Sequence, residues 1–164
     1  MTRIIDTCRR SRLVKLAGQN HGWTLVELMI VLAIIATLAA IALPLYVNVH
    51  ERARVARAIA EIRILDSEIA AFEGVNGRLP TSLAEIGRGT LKDPWGNPYE
   101  YLAFAAGPPG LIRKDLSLVP LNSTYDLYSK GKDGQSQAPL TASASRDDII
   151  RANDGGYIGP ASGY

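Results

Sequence analysis

The chain has 164 residues, with 18 Lys+Arg, 16 Asp+Glu and 47% hydrophobic side chains, a composition that excludes wholesale disorder. Five basic residues (Arg3, Arg9, Arg10, Arg12, Lys15) and one acid, Asp6, stand in the first 22 positions; the rest carries 13 basic and 15 acidic side chains, net −2, which argues against nucleic-acid binding. The single cysteine, Cys8, excludes an intramolecular disulfide and a Cys-based zinc site, and only His21 and His50 are open to histidine chemistry.

Residues 28–49 (LMIVLAIIATLAAIALPLYVNV) are 22 positions without a charge. A bilayer-spanning helix needs about 20, so the run predicts a single transmembrane segment, too long for the core of a secretory signal. The basic excess before it places the N-terminus in the cytoplasm and the C-terminal domain across the membrane. Glu27 abuts the run. A carboxylate costs about 2.5–3.5 kcal/mol at the centre of a span and less at its edge, so Glu27 either marks the headgroup boundary or needs a cationic partner inside the membrane.

Beyond Pro44, which should kink or loosen the helix by removing a backbone donor, Val55, Ile59, Ile62, Leu65, Ile69 and Phe72 form one apolar stripe. Arg52, Arg54, Arg57, Glu61, Arg63 and Glu68 take the other faces, and His50 reads as interfacial. Gly74 and Gly77 are the first stop signals. Pro80–Ile86 predicts a short helix with Ser82 and Glu85 at capping-box spacing. The turn-rich Asp93-Pro94-Trp95-Gly96-Asn97-Pro98-Tyr99 follows. Alternation predicts a strand at Tyr99–Ala103; Gly107-Pro108-Pro109-Gly110 reads as a loop, and Leu116–Val119 and Tyr125–Ser129 read as further strands. Gly131–Gly134 turns, and 135–146, rich in Ser, Ala and Thr, reads as an exposed loop. No internal repeat is evident.

Gly22-Trp23-Thr24-Leu25-Val26-Glu27-Leu28 resembles the processing site of the type IV pilin superfamily. There, a basic leader ends in Gly, and a Glu follows as the fifth residue after the cut. Pro44, the twenty-second, also matches. Trp23 departs, standing where the family usually has Phe. The resemblance implies cleavage by a prepilin peptidase between Gly22 and Trp23, N-methylation of Trp23, and assembly through Glu27 and Pro44. Physically, cleavage creates an ammonium at Trp23. In a packed bundle the ammonium of one subunit could meet Glu27 of its neighbour, compensating two charges that are costly in lipid and fixing axial register.

Residues 93–99, followed by Tyr125-Asp126-Leu127-Tyr128-Ser129-x-Gly131-x-Asp133-Gly134, resemble the major pseudopilins of type II secretion systems. The implied fold is α+β: a long N-terminal helix, membrane-spanning in its first half and amphipathic in its second, packed on a small antiparallel sheet. The expected organisation is a leader at 1–22, a transmembrane helix at 23–49, an amphipathic helix at 50–76 and a periplasmic domain at 77–164. The resemblance also implies a C-terminal calcium site, with Asp133 matching the family's first acidic ligand and Asp147 and Asp148 its last two. The loop between them is longer than usual and lacks a Gly pair.

No catalytic constellation emerges, and the expected role is structural. The resemblance implies a single-pass protein of the bacterial inner membrane that polymerises with itself into a periplasmic filament driving protein export. Its partners would be minor pseudopilins, the prepilin peptidase, the inner-membrane assembly platform and the secretion ATPase. Two alternatives are a type IV pilus subunit for adhesion or motility and a membrane-tethered calcium- or ligand-binding module that never polymerises.

Overall fold

The computed structural model describes residues 22–105, 107 and 109–164. The basic segment before Gly22 that was expected to be a leader, with Cys8 and His21, and Pro108 of the expected loop lie outside the described residues. The chain divides into two units, one ending at Leu43 and one running from Pro44 to Tyr164.

Helix α1 spans Leu25–Asn76 and passes through Pro44 and Gly74 without a break. Its start is set by a reciprocal cap. Thr24 Oγ1 accepts the Glu27 N–H at 3.2 Å, while Glu27 Oε2 accepts the Thr24 N–H and hydroxyl, each at 2.9 Å. That is a capping box, which satisfies donors that every helix start leaves orphaned. In the first unit every large hydrophobe from Leu25 to Leu43 is exposed, Val31 least at 38%. By length and composition this helix can cross a membrane.

In the second unit, Ala58, Ile62, Leu65 and Ile69 are fully buried, spaced 4, 3 and 4 along one face of α1. Val55, Ile59 and Phe72 of the predicted stripe are partly buried. The stripe packs on an antiparallel sheet of β1 (Glu100–Ala103), β2 (Tyr125–Ser129), β3 (Ile149–Ala152) and β4 (Tyr157–Pro160), ordered as in the sequence. Register pairs Glu100 with Tyr128, Tyr128 with Ile150, and Ile150 with Gly159. Tyr99, Tyr125, Leu127 and Ile149 meet the helix. Successive strand residues point to opposite faces, so Ile150 and Ala152 join Leu121, Leu140 and Ala161 in a second cluster. Each fully buried Ile or Leu stabilises the fold by about 1.5–3 kcal/mol.

Three expectations need correction, and one element went unassigned. Residues 80–86 form successive turns rather than a helix, and Glu85 caps Thr81, not Ser82 (N–H 3.1 Å, hydroxyl 3.0 Å) while pairing with Arg78. Leu116–Val119 is a turn, not a strand. Segment 135–146 is only partly exposed: Gln135, Gln137, Thr141, Ser143 and Arg146 face solvent, but Leu140 is buried, and Ser145, wholly buried, donates its hydroxyl to the Gln137 carbonyl at 2.7 Å. The C-terminal tail supplies the hairpin β3–β4, which the sequence left unassigned.

The two turns before and after β1 are one structure used twice. In Lys92-Asp93-Pro94-Trp95-Gly96-Asn97-Pro98, Asp93 Oδ1 accepts the N–H groups of Trp95 (3.0 Å) and Asn97 (2.8 Å). In Lys114-Asp115-Leu116-Ser117-Leu118-Val119-Pro120, Asp115 Oδ1 accepts those of Ser117 and Val119, both at 2.8 Å. Each Lys bridges its Pro across the turn. The fourth position after each Lys is left-handed: Gly96 at φ 97° and Leu118 at φ 63°. Glycine adopts that region freely, whereas leucine pays about 1–2 kcal/mol.

Candidate functional site

The helix start is the first region of interest. Gly22, Trp23 and Thr24 precede α1 in extended or irregular backbone, with Trp23 76% exposed. Glu27 stands in the first helical turn, where its negative charge complements the positive helix end. The Thr24 cap fixes its carboxylate at the start of the helix. Pro44, the other assembly position expected from sequence, lies within the continuous helix.

The second region joins the two motifs quoted from the sequence. Asp93 is 5% exposed, and its Oδ2 accepts the Ser129 hydroxyl at 2.6 Å. Asn97 donates its amide to the Gly131 carbonyl at 2.9 Å. The turn before β1 is thereby locked to the end of β2. The same region is tied to α1. Trp95 Nε1 donates to Glu51 at 2.9 Å, the Tyr99 hydroxyl to Glu61 at 2.6 Å, and the Tyr125 hydroxyl to Asp66 at 2.6 Å. Arg151, 6% exposed, also pairs with Asp66, and Arg88 with Glu68. Burial, helped by the adjoining carboxylates, raises the pKa of Tyr99 and Tyr125 well above that of an ordinary phenol, so both remain donors. Glu61 and Glu68, read from sequence as lying away from the packed face, are in fact ties to the sheet domain.

The third region holds the three aspartates singled out for calcium. Asp133 is exposed; its Oδ1 accepts the Gln135 N–H at 2.8 Å, and its own N–H donates to Asp147 Oδ2 at 3.0 Å. Asp148 is wholly buried and engaged elsewhere. Its Oδ2 accepts from Arg113 Nη2 and from the Ser136 hydroxyl, both at 2.6 Å. Burial pushes the Asp148 carboxyl up to about 6, against the opposing pull of Ser136 and Arg113. Calcium takes six to eight oxygens. Among the described residues no three His, Cys, Asp or Glu side chains are gathered to hold a metal. Asp133 and Asp147 adjoin one another, but Asp148 is committed to a cation of the chain itself, so the three do not fit as one ligand set.

Sequence reasoning missed Arg113, Ser136 and the Asp93–Ser129 lock. Arg113 carried no signal beyond being a basic residue in a loop. His50, taken as interfacial, lies on α1 with its ring 4.2 Å from that of Tyr46.

The sequence has counterparts among known proteins. The family model for the prokaryotic N-terminal methylation motif matches residues 19–43. Type II secretion system core protein G of Dickeya chrysanthemi is 30% identical over 141 residues, covering 84% of this chain and 89% of that protein. Its namesake from Pseudomonas aeruginosa is 29% identical over 138 residues, covering 71% and 87%. The type IV major pilin protein PilA of Myxococcus xanthus is 35% identical over 107 residues, covering 65% of this chain and 47% of that protein. No solved structure gives a significant match. With a prepilin methylation motif at its start and likeness along most of its length, the chain belongs to the type II secretion system core protein G family of the type IV pilin superfamily.

Proposed function

We propose that the protein is the structural subunit of a type II secretion pseudopilus, a periplasmic filament assembled from membrane-anchored precursors to drive protein export. The observation that carries this reading is the first half of α1, whose large apolar side chains are all exposed. Such a surface needs lipid before assembly and other copies of itself afterwards. Ala36 and Ala40, four residues apart, let neighbouring helices approach closely. In this reading the helix anchors the precursor in the inner membrane with its N-terminus cytoplasmic and its C-terminal domain periplasmic. A prepilin peptidase cuts between Gly22 and Trp23, and Trp23 is methylated. The energy comes from a secretion ATPase acting through an inner-membrane platform, with minor pseudopilins as further partners.

Glu27 has a double role here. Its cap with Thr24 holds the carboxylate at the start of the helix, and in this reading it receives the ammonium that cleavage creates at Trp23 of the next subunit. Co-expression with a prepilin peptidase, followed by N-terminal sequencing of membrane-extracted protein, tests the reading. A chain beginning at Trp23 supports it, and Gly22→Val should block the cut. A chain that still begins at Met1 with active peptidase present refutes it.

The similarity to PilA favours a second reading, a surface pilus subunit. Deleting the gene and measuring both secretion and twitching separates the two, since a pseudopilus subunit affects only the first.

A further inference from the structure

Asp148 is neutralised from within the chain. Arg113 is 2% exposed and lies in direct contact with Asp148, which is wholly buried. One guanidinium nitrogen, Nη2, donates to Asp148 Oδ2; the other, Nη1, donates to the Ser136 hydroxyl. That hydroxyl donates to the same Oδ2, so guanidinium, hydroxyl and carboxylate close a ring. The guanidinium carbon stands 4.3 Å from the centre of the Tyr128 ring, a cation–π contact from β2.

The backbone at Arg113 is held as firmly as its side chain. Its N–H donates to buried Asp126 Oδ2 at 2.6 Å, and its carbonyl accepts the Leu121 N–H at 3.0 Å, closing the neck of the Lys114–Pro120 turn. The side chain therefore joins three stretches distant in sequence: the second Lys-Asp turn, the 135–146 segment and the entry to β3. Cross-linking the C-terminal loop to the sheet is the structural task that the family resemblance gives to a bound metal.

We infer that the Arg113 guanidinium replaces that metal as a built-in cation, neutralising Asp148 and pinning the C-terminal segment, so that the fold's stability does not depend on divalent cations. The physical argument is charge balance. Arginine stays protonated in proteins, so a divalent ion at Asp148 would sit beside a fixed positive charge in a poorly screened interior, where like charges repel strongly. A buried carboxylate carries one negative charge, and the guanidinium already balances it. Asp148 Oδ1 and Arg113 Nε are buried without hydrogen-bond partners. Oδ1 is thus the one atom of Asp148 that an added cation could claim, and a calcium titration interrogates it directly.

The test is thermal unfolding of the full chain in detergent micelles, followed by near-UV circular dichroism, with excess calcium or with chelator. The wild type should melt at the same temperature in both. Arg113→Met leaves a buried unpaired carboxylate and should lower the folding constant by about a hundredfold to a thousandfold. Adding Asp148→Asn to Arg113→Met should restore most of that loss, a coupling that independent sites do not show. A wild-type midpoint that falls in chelator and recovers with calcium overturns the inference, as do Arg113→Met and Asp148→Asn effects that simply add. Should Arg113→Met fail to fold, the wild-type comparison still decides the metal question and Arg113→Lys replaces it in the cycle. Lysine keeps the charge without the two-armed fork and should lose less than methionine.

Discussion

Replacing Asp93 by alanine removes three accepted hydrogen bonds at once: the N–H groups of Trp95 and Asn97 and the hydroxyl of Ser129. A hydrogen bond to a charged acceptor contributes about 1.5–3 kcal/mol, and a buried donor left unpaired costs about 1–3 kcal/mol. The three share one side chain and do not add fully, so the loss should be about 4 kcal/mol. For a domain of this size that lowers the melting temperature by about 15 °C. Asp115 supplies the control, because the same side chain makes the same two backbone bonds in a turn of the same form, but at the surface and with no Ser129 counterpart. There water can replace the lost acceptor, so Asp115→Ala should cost only about 1 kcal/mol, or about 4 °C. Asp93→Asn, which retains one carbonyl acceptor, should fall between. The assay is thermal unfolding of the full-length chain in micelles. Equal shifts for Asp93→Ala and Asp115→Ala would refute the claim that burial and the link to β2, rather than turn geometry, set the cost.

Three further outcomes are expected. Leu118→Gly should stabilise the chain by about 0.5 kcal/mol, since it relieves a left-handed leucine that is 62% exposed, offset in part by glycine's greater unfolded entropy; chemical denaturation reads the sign. Asp66→Ala leaves the buried Arg151 guanidinium without its main partner and should cost about 3 kcal/mol or more, whereas Arg57→Ala, which breaks an exposed pair with Glu61, should cost under about 1 kcal/mol. Glu27→Ala should insert into membranes as well as the wild type or better, because a charge leaves the edge of the span. Its filaments should be lost or out of register, and normal filaments by electron microscopy would reduce Glu27 to a boundary marker.

The parts of the fold legible in the sequence are those coded by periodicity and by local turn chemistry. The uncharged run, the stripe ending at Ile69 and Phe72, the turn at 93–99 and the tyrosine-rich tract of β2 all follow from residues close to one another. What escaped depends on distant partners. Ile149-Ile150-Arg151-Ala152 is buried on both faces, so it shows no alternation. Its arginine is met by partners that sequence spacing does not reveal, Asp66 on α1, 85 residues away, and Asn122. The repeat of the Lys-Asp turn went unseen because Leu116 and Leu118 replace Pro94 and Gly96. An apolar Leu-Ser-Leu-Val tract reads as a strand when nothing in it demands a left-handed residue. At the candidate site, the stretch from Gly22 to Glu27 was visible as a motif. The fate of Asp148 was not, since no spacing rule links it to Arg113.

The ties between α1 and the sheet also bear on how force would travel through the molecule. Glu51, Glu61, Asp66 and Glu68 anchor Trp95, Tyr99, Tyr125 with Arg151, and Arg88. They are distributed over about 25 Å of helix axis. Apolar packing alone is nearly indifferent to small axial slips, because one methyl group resembles the next. Directional bonds are not: a displacement of 1–2 Å takes a hydrogen bond beyond its working range. A pull along the helix therefore loads these anchors in parallel, as shear, and they must yield together. A pull across the helix would open them one after another, as a zipper. The arrangement is stiff in the direction in which a growing column of helices would push.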